Sequence, residues 1–357
     1  MTAFLFALIA ILLYGANTFN MDDMIGQMVV VGFRGYDVAP GSGIEEDIKA
    51  RNIGGVVLFD KDLATSSARN IQSPEQVAQL SAHVRALSKS KIWVSIDHEG
   101  GAVCRLKEKF GFSKTFSALK MSMLSSLEFV IEADRMVETL VKAGIDLNFA
   151  PVVDVNVNPE NPIIGKWERS YSANPDAVAK MAGAFVERHH EKSVLTSLKH
   201  FPGHGSSTGD SHLDMVDVTD TWQEYELLPF DALVKAGLAD SIMTAHIFNR
   251  NWDVQYPATL SPVIIPTLLR RGMAFEGVVF SDDMQMGAIT RHFGFEESIR
   301  LALQADVDVL VFGNNVSFDE RIAEKAIGVI KGLVAKGVVS RERIERSFRR
   351  IQQMKSA

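Results

Sequence analysis

Short apolar segments alternate with longer segments of helical periodicity along most of the chain. The apolar segments contain few polar residues, as expected of parallel strands that are covered on both faces. Eight of them are predicted to be strands, at 28–33, 55–59, 92–96, 146–152, 194–198, 241–245, 277–280 and 307–312. Apolar residues recur with the helical period at 74–89, 124–142, 175–191, 223–236, 262–271, 296–305 and 319–336.

The order of these elements predicts the fold. Pro74, Pro175 and Pro262 each stand where a predicted helix begins, a position at which proline sacrifices no backbone hydrogen bond. Eight strands with helices between them and no linker-like stretch predict a single (β/α)8 barrel over residues 21–357. A doubly wound open sheet is the alternative. No Gly-x-Gly-x-x-Gly turn or Walker loop follows the first strand, so the sequence favours the barrel.

The N-terminus carries a different pattern. Residues 4–14 are apolar without interruption, and the first charged residue of the chain is Asp22. This length is typical of a signal-peptide core and too short for a comfortable membrane span. We therefore predict that residues 1–20 are a signal peptide or an anchor, and that the protein is periplasmic or otherwise exported. Met21 offers an alternative start, which would place the protein in the cytoplasm.

Composition narrows the classes of function. The chain of 357 residues carries a net charge of −7, and its lysines and arginines are scattered. A nucleic-acid-binding protein would need a basic face, so no nucleic-acid partner is expected. The single cysteine excludes an internal disulfide and a cysteine-based zinc site. A monomer is expected.

Polar residues follow the predicted strands where each strand ends. In a (β/α)8 barrel these positions lie on one rim, which carries the chemistry. The residues are Asp97, His98 and Glu99 after the third strand, Asp154 and Asn156 after the fourth, Lys199 and His200 after the fifth, His246 after the sixth, Asp282 and Asp283 after the seventh, and Gly313, Asn314 and Asn315 after the eighth. Because so many polar groups converge on one rim, the sequence predicts an enzyme.

The densest of these segments runs from Lys199 to His212, Lys-His-Phe-Pro-Gly-His-Gly-Ser-Ser-Thr-Gly-Asp-Ser-His. Its proline and glycines exclude a helix, and its pattern does not fit strand pairing, so a loop aimed at a ligand is predicted. A Pro-Gly pair separates His200 from His204, so they cannot share a helical face as the histidines of zinc proteases do. No metal site or cofactor is therefore predicted.

Carboxylates and imidazoles dominate the predicted rim, and three basic side chains accompany them. Arg105, Arg169 and Lys199 are the candidate donors. An enzyme that cleaves a glycosidic bond needs groups that bind the sugar hydroxyls, one proton donor and one nucleophile. We therefore expect a small carbohydrate as the substrate.

The segment Lys199–His212 resembles the signature of the family 3 glycoside hydrolases, in their β-N-acetylhexosaminidase branch. Segments at 96–105, 149–156, 243–246 and 280–284 are similar to other motifs of that family. The resemblance implies a single (β/α)8 barrel without the second domain of the larger β-glucosidases. By position, it implies that Asp282 is the nucleophile, His212 the acid/base and Asp210 the group that orients and charges His212. It also implies sugar-binding roles for Asp97, Arg105, Arg169, Lys199 and His200.

The chain departs from the family pattern at three places. Ala102 stands where the family usually has arginine, and His98 stands where it often has glutamine. The stretch 164–170 is longer than the common pattern, which predicts a reshaped rim near Trp167. Among the other polar residues, we expect His204 to pack within its loop and Asp283 to support the site. For His246 a reactive and a supporting role both stay open.

Asp210 and His212 are two residues apart, so an extended backbone directs both side chains the same way. A carboxylate bonded to an imidazole favours the protonated ring, which makes His212 a proton donor. The expected function is a retaining exo-β-N-acetylglucosaminidase that acts on peptidoglycan fragments through a covalent intermediate on Asp282. The alternatives are a family 3 β-glucosidase or a phosphorylase and, in another class, a silent glycan-binding barrel.

Overall fold

The computed structural model describes residues 19–357. Its main sheet has eight parallel strands: β1 (Val29–Gly32), β2 (Gly55–Leu58), β3 (Trp93–Ile96), β4 (Leu147–Asn148), β5 (Leu195–Phe201), β6 (Ser241–Thr244), β7 (Val278–Phe280) and β8 (Leu310–Phe312). Neighbours in the sheet follow the order of the chain from β1 to β7, and β8 pairs with β1. A parallel bridge between Phe280 and Val309 links β7 to the β8 side. The sheet therefore closes into a barrel, and the open-sheet alternative is wrong.

Helices lie between the strands. They are α1 (Met21–Gln27), α2 (Gly43–Lys49), α3 (Pro74–Leu87), α4 (Ala118–Ser122), α5 (Ser126–Ala143), α6 (Pro175–His190), α7 (Leu228–Lys235), α8 (Gly287–Thr290), α9 (Phe295–Gln304), α10 (Ile322–Ala335) and α11 (Arg341–Ser356). The segment Ile265–Gly272 is a π-helix, and Glu108–Phe110 and Glu224–Leu227 are 3₁₀ turns. Local sequence sets the ends of α5, which begins with a capping box of Ser125 and Glu128 and ends at Gly144 with φ 69°.

The barrel core is largely apolar. Trp93, Phe149 and Phe280 fill the interior, with ring centroids 5.5 Å (Trp93–Phe280) and 5.4 Å (Phe149–Phe280) apart. Lys355 of α11 enters the amino end, where its ammonium donates to Gln27 and to the carbonyl of Gly54 and lies 4.4 Å from the Trp93 ring centroid. This end is therefore plugged, and the carboxyl end is free to hold a site.

All eight predicted strands and the predicted helices are present. The loop predicted at 199–212 begins later than predicted. Strand β5 continues through Lys199 and His200 to Phe201, which pairs with Thr244 of β6. The pairing with β6 is irregular between Leu198 and Phe201, and Lys199 instead forms a parallel bridge with Val152, so the two polar residues lie in the strand with their side chains in the cavity. The sequence reading also missed α2. Most of the predicted N-terminal signal or anchor lies outside the described residues. Within residues 19–357, no helix is long and apolar enough to cross a membrane.

Candidate active site

A cavity of about 490 Å³ lies at the carboxyl ends of the strands. It brings together all of the side chains to which the sequence assigned site roles. They are Asp97, Arg105, Arg169, Lys199, His200, Asp210, His212 and Asp282. The convergence of strand-end residues on one rim is confirmed. Their catalytic and binding roles stay predictions.

Glu99 is the centre of an ion-pair network on one side of the cavity. Its two carboxylate oxygens accept from Nε and Nη2 of Arg169, both at 2.7 Å, which is the bidentate geometry that fixes a guanidinium most firmly. Lys199 Nζ lies 2.7 Å from Glu99 Oε1 and donates to Asp97 Oδ1 at 2.8 Å. Glu99, Arg169 and Lys199 are buried, so the network is preformed.

A short ribbon positions Glu99. Residues His98–Gly100 pair with Val103–Cys104 directly after β3. Gly100 makes this turn possible, because its φ is +99° and a Cβ there would meet the carbonyl oxygen of Phe116 at 2.1 Å. The departure at His98 lies outside the cavity, since the ring is fully buried with Nδ1 3.4 Å from Cys104 Sγ.

Asp154 aligns His200 in the same wall. Its Oδ2 lies 2.7 Å from His200 Nδ1, and its Oδ1 accepts from the backbone N–H groups of His200 and His204 at 3.1 and 2.7 Å. This bond makes Nδ1 the donor and leaves Nε2 as an acceptor 3.3 Å from Arg169 Nη2. His200 is therefore held in one tautomer and one orientation.

Charge balance keeps this wall ionised. Burial acts to raise the pKa of Asp97 and of Glu99, but the nearby cations of Lys199 and of Arg105 or Arg169 outweigh it and hold both pKa values below their usual range. Burial acts to lower the pKa of Lys199, and the two carboxylates outweigh it and raise that pKa. Arg105 contributes from the far side of Asp97, with Nη2 3.5 Å from Asp97 Oδ2.

Asp282 lies just beyond the end of β7 and lines the cavity without an ion-pair partner among residues 19–357. Its Oδ1 accepts from the backbone N–H of Asp283 at 2.8 Å, and within residues 19–357 no basic nitrogen lies within 4.0 Å of it. Burial acts to raise the pKa of Asp282, but the imidazoles of His246, His200 and His212 outweigh it and lower that pKa. Asp282 is therefore an ionised carboxylate with free lone pairs.

Asp210 and His212 lie at the mouth of the cavity, on the loop after β5. Asp210 Oδ1 is 2.7 Å from His212 Nδ1 and accepts from the backbone N–H of His212 at 2.9 Å. The two side chains are therefore in contact, but the backbone is a turn and not the predicted extended segment, since the N–H groups of Leu213 and Asp214 donate to the carbonyl of Asp210. Burial acts to lower the pKa of His212, whereas the hydrogen bond to Asp210 and the charge of Asp282 outweigh it and raise that pKa.

The remaining polar residues support these groups. His204 is buried and packs within its loop as expected, with its ring nitrogens 2.7 Å from Ser207 Oγ and 3.1 Å from Ser211 Oγ. Both ring nitrogens of His246 are also occupied, by Thr259 Oγ1 at 2.8 Å and the carbonyl of Asp283 at 3.0 Å. This geometry favours the supporting role for His246. The Asp283 carboxylate accepts from two backbone N–H groups.

Sequence reasoning missed the importance of Glu99 and Asp154, which it placed at strand ends without assigning them a role. The available signal was charge balance: two predicted buried cations, Arg169 and Lys199, require carboxylate partners close by. The longer stretch at 164–170 does not displace Arg169, whose backbone N–H still closes a turn onto Ile164. Trp167 lies at the cavity edge with 51% of its surface exposed, and the reshaped rim stays a prediction.

Comparison with known proteins decides the family. The family model described as "Glycosyl hydrolase family 3 N terminal domain" matches residues 20–354. The chain belongs to glycosyl hydrolase family 3. A β-hexosaminidase of Tolumonas auensis is 33% identical over 274 residues, which cover 76% of this chain and 78% of that protein. The predicted family and branch are confirmed and, with them, the prediction of a glycoside hydrolase.

Solved structures of the family share the barrel. The family 3 β-N-acetylglucosaminidase of a Paenibacillus species superposes with a TM-score of 0.86 at 30% identity, over 95% of this chain and 62% of that one. The β-N-acetylhexosaminidase of Beutenbergia cavernae superposes with a TM-score of 0.84 at 26% identity, over 96% of this chain and 100% of that one. The chain therefore spans less than two thirds of the Paenibacillus enzyme and the full length of the Beutenbergia one.

Proposed function

We propose that the protein is a retaining exo-β-N-acetylglucosaminidase that removes terminal β-linked N-acetylglucosamine from peptidoglycan fragments. One observation carries the proposal. A partly buried, ionised carboxylate, Asp282, shares a cavity with His212, an imidazole whose pKa is raised. Two titratable groups whose pKa values are displaced in opposite directions are the signature of a nucleophile and an acid.

The wall around Glu99 supplies the sugar-binding groups. Asp97, Lys199, Arg169 and His200 offer fixed acceptors and donors at the base of the cavity, where hydroxyls of a terminal sugar would meet them. Because their partners already hold them in place, binding costs little side-chain entropy. A cavity that ends in this wall suits cleavage from the end of a saccharide.

The geometry supports a double displacement. In the first step the Asp282 carboxylate attacks the anomeric carbon, and protonated His212 donates its Nε2 proton to the departing glycosidic oxygen. The bond to the aglycone breaks as the glycosyl–Asp282 ester forms. In the second step neutral His212 accepts a proton from water, and that water attacks the anomeric carbon and releases Asp282. Two inversions give net retention.

A mechanism-based fluorosugar tests the covalent step. A fluorinated glycoside that keeps the 2-acetamido group and traps the ester should add the mass of one sugar to the peptide that carries Asp282. Sequencing of that peptide should locate the label on Asp282. Label on the neighbouring Asp283, or an active enzyme that acquires none, would overturn the covalent role of Asp282. The second result would favour participation of the substrate's own acetamido group.

A phosphorylase is the second candidate, and the identity of the acid/base favours it. An imidazole does not repel an incoming phosphate as a carboxylate would. Product analysis with and without inorganic phosphate separates the two activities, because a phosphorylase releases N-acetylglucosamine 1-phosphate and a hydrolase the free sugar. A parallel assay on p-nitrophenyl glucoside tests the β-glucosidase alternative.

We propose that the enzyme is exported and meets its substrate outside the cytoplasm. The apolar run at 4–14 supports this proposal. Phe19 contacts Phe348 of α11 with ring centroids 4.9 Å apart, so a mature chain that begins at or before Phe19 retains this contact. N-terminal sequencing of the native protein tests the proposal. A start at 16–19 indicates cleavage, Met1 an anchor, and Met21 a cytoplasmic enzyme.

A further inference from the structure

A second groove adjoins the active-site cavity. It has a volume of about 940 Å³, and it is formed by residues between 101 and 120, after β3, and by 166–168, after β4. Ala102, Lys107 and Trp167 line both the groove and the active-site cavity. A substrate whose terminal sugar lies against the wall around Glu99 can therefore extend past these three residues into the groove.

The groove is basic although the protein is acidic. The chain carries a net charge of −7, whereas the charged residues that line the groove are five lysines and two glutamates. The lysines are Lys107, Lys109, Lys114, Lys120 and Lys166. We refer to this surface as the lysine groove. Several positive charges along a cleft attract an anion and repel a cation.

Two of these lysines have no carboxylate partner. Lys107 pairs with Asp60, and Lys120 and Lys166 each lie within 4.0 Å of a glutamate. Lys109 and Lys114 are exposed and, within the described chain from residue 19 onward, no carboxylate lies within 4.0 Å of either ammonium. Their charge is therefore available to a ligand.

The walls of the groove are held together before any ligand binds. Ser117 donates to Glu168 Oε2 at 2.7 Å, and the backbone N–H of Leu119 donates to the carbonyl of Glu168 at 3.2 Å. These bonds tie the segment after β3 to the segment after β4. The Ser117 hydroxyl and the Lys120 ammonium, 3.6 Å away, both contact Oε2 of Glu168, so part of the charge of this carboxylate is offset within the groove.

The groove coincides with two of the positions at which the sequence departs from the family pattern. Ala102 places only a methyl group at the junction with the cavity, where a long side chain would narrow the passage. The lengthened stretch at 164–170 places Trp167 on the other side of that junction, with an exposed indole against which an apolar face of a ligand can pack.

From these observations we infer that the lysine groove binds the aglycone side of the substrate and selects an aglycone that carries carboxylates. An acid-bearing sugar substituted with a short peptide with free carboxyl groups has this chemistry. The inference rests on the proposed function, since it needs a terminal N-acetylglucosamine in the active-site cavity. Lys109 and Lys114 would meet the carboxylates, and Trp167 would contact the sugar ring next to the cleaved bond.

Kinetics on three substrates test the inference. The double variant Lys109→Gln, Lys114→Gln is compared with the wild type and with the control Lys192→Gln, Lys336→Gln, whose exposed lysines lie near the opposite end of the barrel. The substrates are N-acetylglucosaminyl-anhydromuramyl peptide, chitobiose and p-nitrophenyl N-acetylglucosaminide. For the peptide substrate, kcat/KM should fall about tenfold in the first variant only, mainly through KM. The two uncharged substrates should be turned over as before.

Ionic strength provides a second readout. The wild-type kcat/KM for the peptide substrate should fall as salt rises from low to high concentration, and the double variant should show a flatter dependence. An equal loss on all three substrates, or an unchanged kcat/KM on the peptide substrate, would overturn the role of the groove.

A binding measurement separates this inference from the proposed function. Anhydromuramyl peptide is titrated calorimetrically into each protein, beside the same compound with its carboxyl groups amidated, and neither titration requires hydrolysis. Binding of the acid form that weakens in the Lys109/Lys114 variant supports the groove, and equal binding of acid and amide forms contradicts it. A wild-type enzyme that hydrolyses none of the N-acetylglucosaminides would overturn the proposed function alone.

Discussion

The wall around Glu99 and the Asp210–His212 pair at the cavity mouth are built in opposite ways. In the wall Glu99, Arg169 and Lys199 each have two or more partners, and at most 9% of any of these side chains is exposed. At the mouth His212 is 51% exposed, and its ring is hydrogen-bonded to Asp210. Asp282 is partly buried and, among residues 19–357, has no ion-pair partner.

The difference separates two requirements of the proposed reaction. Groups that recognise the sugar gain from rigidity, because preformed donors and acceptors need no reorganisation when substrate binds. A proton donor that must also accept a proton from incoming water gains from access to solvent and from freedom to move. We therefore expect substitutions in the wall to reduce both folding stability and activity, and substitutions at the mouth to reduce activity alone.

The largest expected effect is that of Asp282→Asn. The amide cannot form the glycosyl ester, so kcat should fall on the order of 10⁴-fold with the fold retained. Rates are measured on p-nitrophenyl N-acetylglucosaminide, and circular dichroism checks the fold. Asp283→Asn is the matched control, since its amide oxygen can still accept from Gln285 and Gly313 N–H groups, and less than about a tenfold loss is expected. A greater loss of kcat in Asp283→Asn than in Asp282→Asn would indicate that Asp283 is the nucleophile and Asp282 the supporting residue.

Removing the centre of the wall should have the next largest effect. Glu99→Gln deprives Arg169 and Lys199 of a charged partner in a buried site, which should lower the free energy of unfolding by about 3–5 kcal/mol. Urea titration measures this change. Exposed Glu224→Gln is the control and should change stability by less than about 0.5 kcal/mol. A Glu99 variant as stable as this control would contradict the contrast between wall and mouth.

The pKa of Glu99 gives that prediction a pH dependence. The cations of Arg169 and Lys199 outweigh burial and hold the pKa of this carboxyl below its unfolded value. The stabilisation is therefore fully present above the unfolded-state pKa and is lost as pH falls through the folded-state value. The stability difference between wild type and Glu99→Gln should accordingly narrow in acid and stay constant near neutrality.

These two regions also differ in how far the sequence predicted them. Near-continuous apolar runs identified every strand of the barrel, and strand ends identified the rim. The motif at Asp210–His212 is local, so two residues in sequence sufficed to predict their contact. The wall is different, because Glu99, Arg169 and Lys199 come from three separate loops or strands. Only the closed barrel brings them within hydrogen-bonding distance.

Two errors have separate physical origins. Lys199 and His200 look like loop residues because strands buried on both faces are usually apolar, yet the barrel rim lets a strand carry polar side chains into a site. The short helix α2 has too few residues for helical periodicity to stand out, and tertiary packing of Ile44 and Ile48 stabilises it.

Asp210→Asn tests the mouth of the cavity and should have a smaller effect than the wall substitution on stability but a clear effect on activity. Activity at neutral pH should fall about 10²-fold, because the amide neither charges nor orients His212 as well. His212 must be protonated to donate, so activity is present below its pKa and is lost as pH rises through it. Since Asp210 raises that pKa, its removal should move the alkaline limb of kcat/KM to lower pH.

The same loop offers a matched control for this variant. Asp214 also pairs with a histidine at its surface, with Oδ1 2.6 Å from His292 Nε2, but neither residue lines the cavity. Asp214→Asn breaks an exposed Asp–His pair of the same kind and should leave the pH profile unchanged. A shift of similar size in both variants would mean that loop charge in general, rather than Asp210, sets the pKa of His212.

The smallest expected effect comes from the residue that joins the two regions. Ser211 is buried between the partly exposed Asp210 and the exposed His212. Its Oγ lies 3.1 Å from Nε2 of His204, whose backbone N–H donates to Asp154 of the wall. Ser211→Ala should cost about 1 kcal/mol of stability and lower kcat/KM about fivefold, because the loop occupies its catalytic position less often. The Asp210–His212 bond remains, so the pH profile should not move.

Ser211→Ala is informative although its expected effect is small, because it should change stability and kcat/KM without moving the pH profile. Ser197→Ala is its control, since Ser197 Oγ is buried without a hydrogen-bond partner among residues 19–357 and its removal should cost no hydrogen bond. Urea titration and a pH–rate profile are measured for both variants. If Ser211→Ala shifts the alkaline limb as Asp210→Asn does, the wall sets the protonation of His212 as well as its position, and the mouth is not an independent unit.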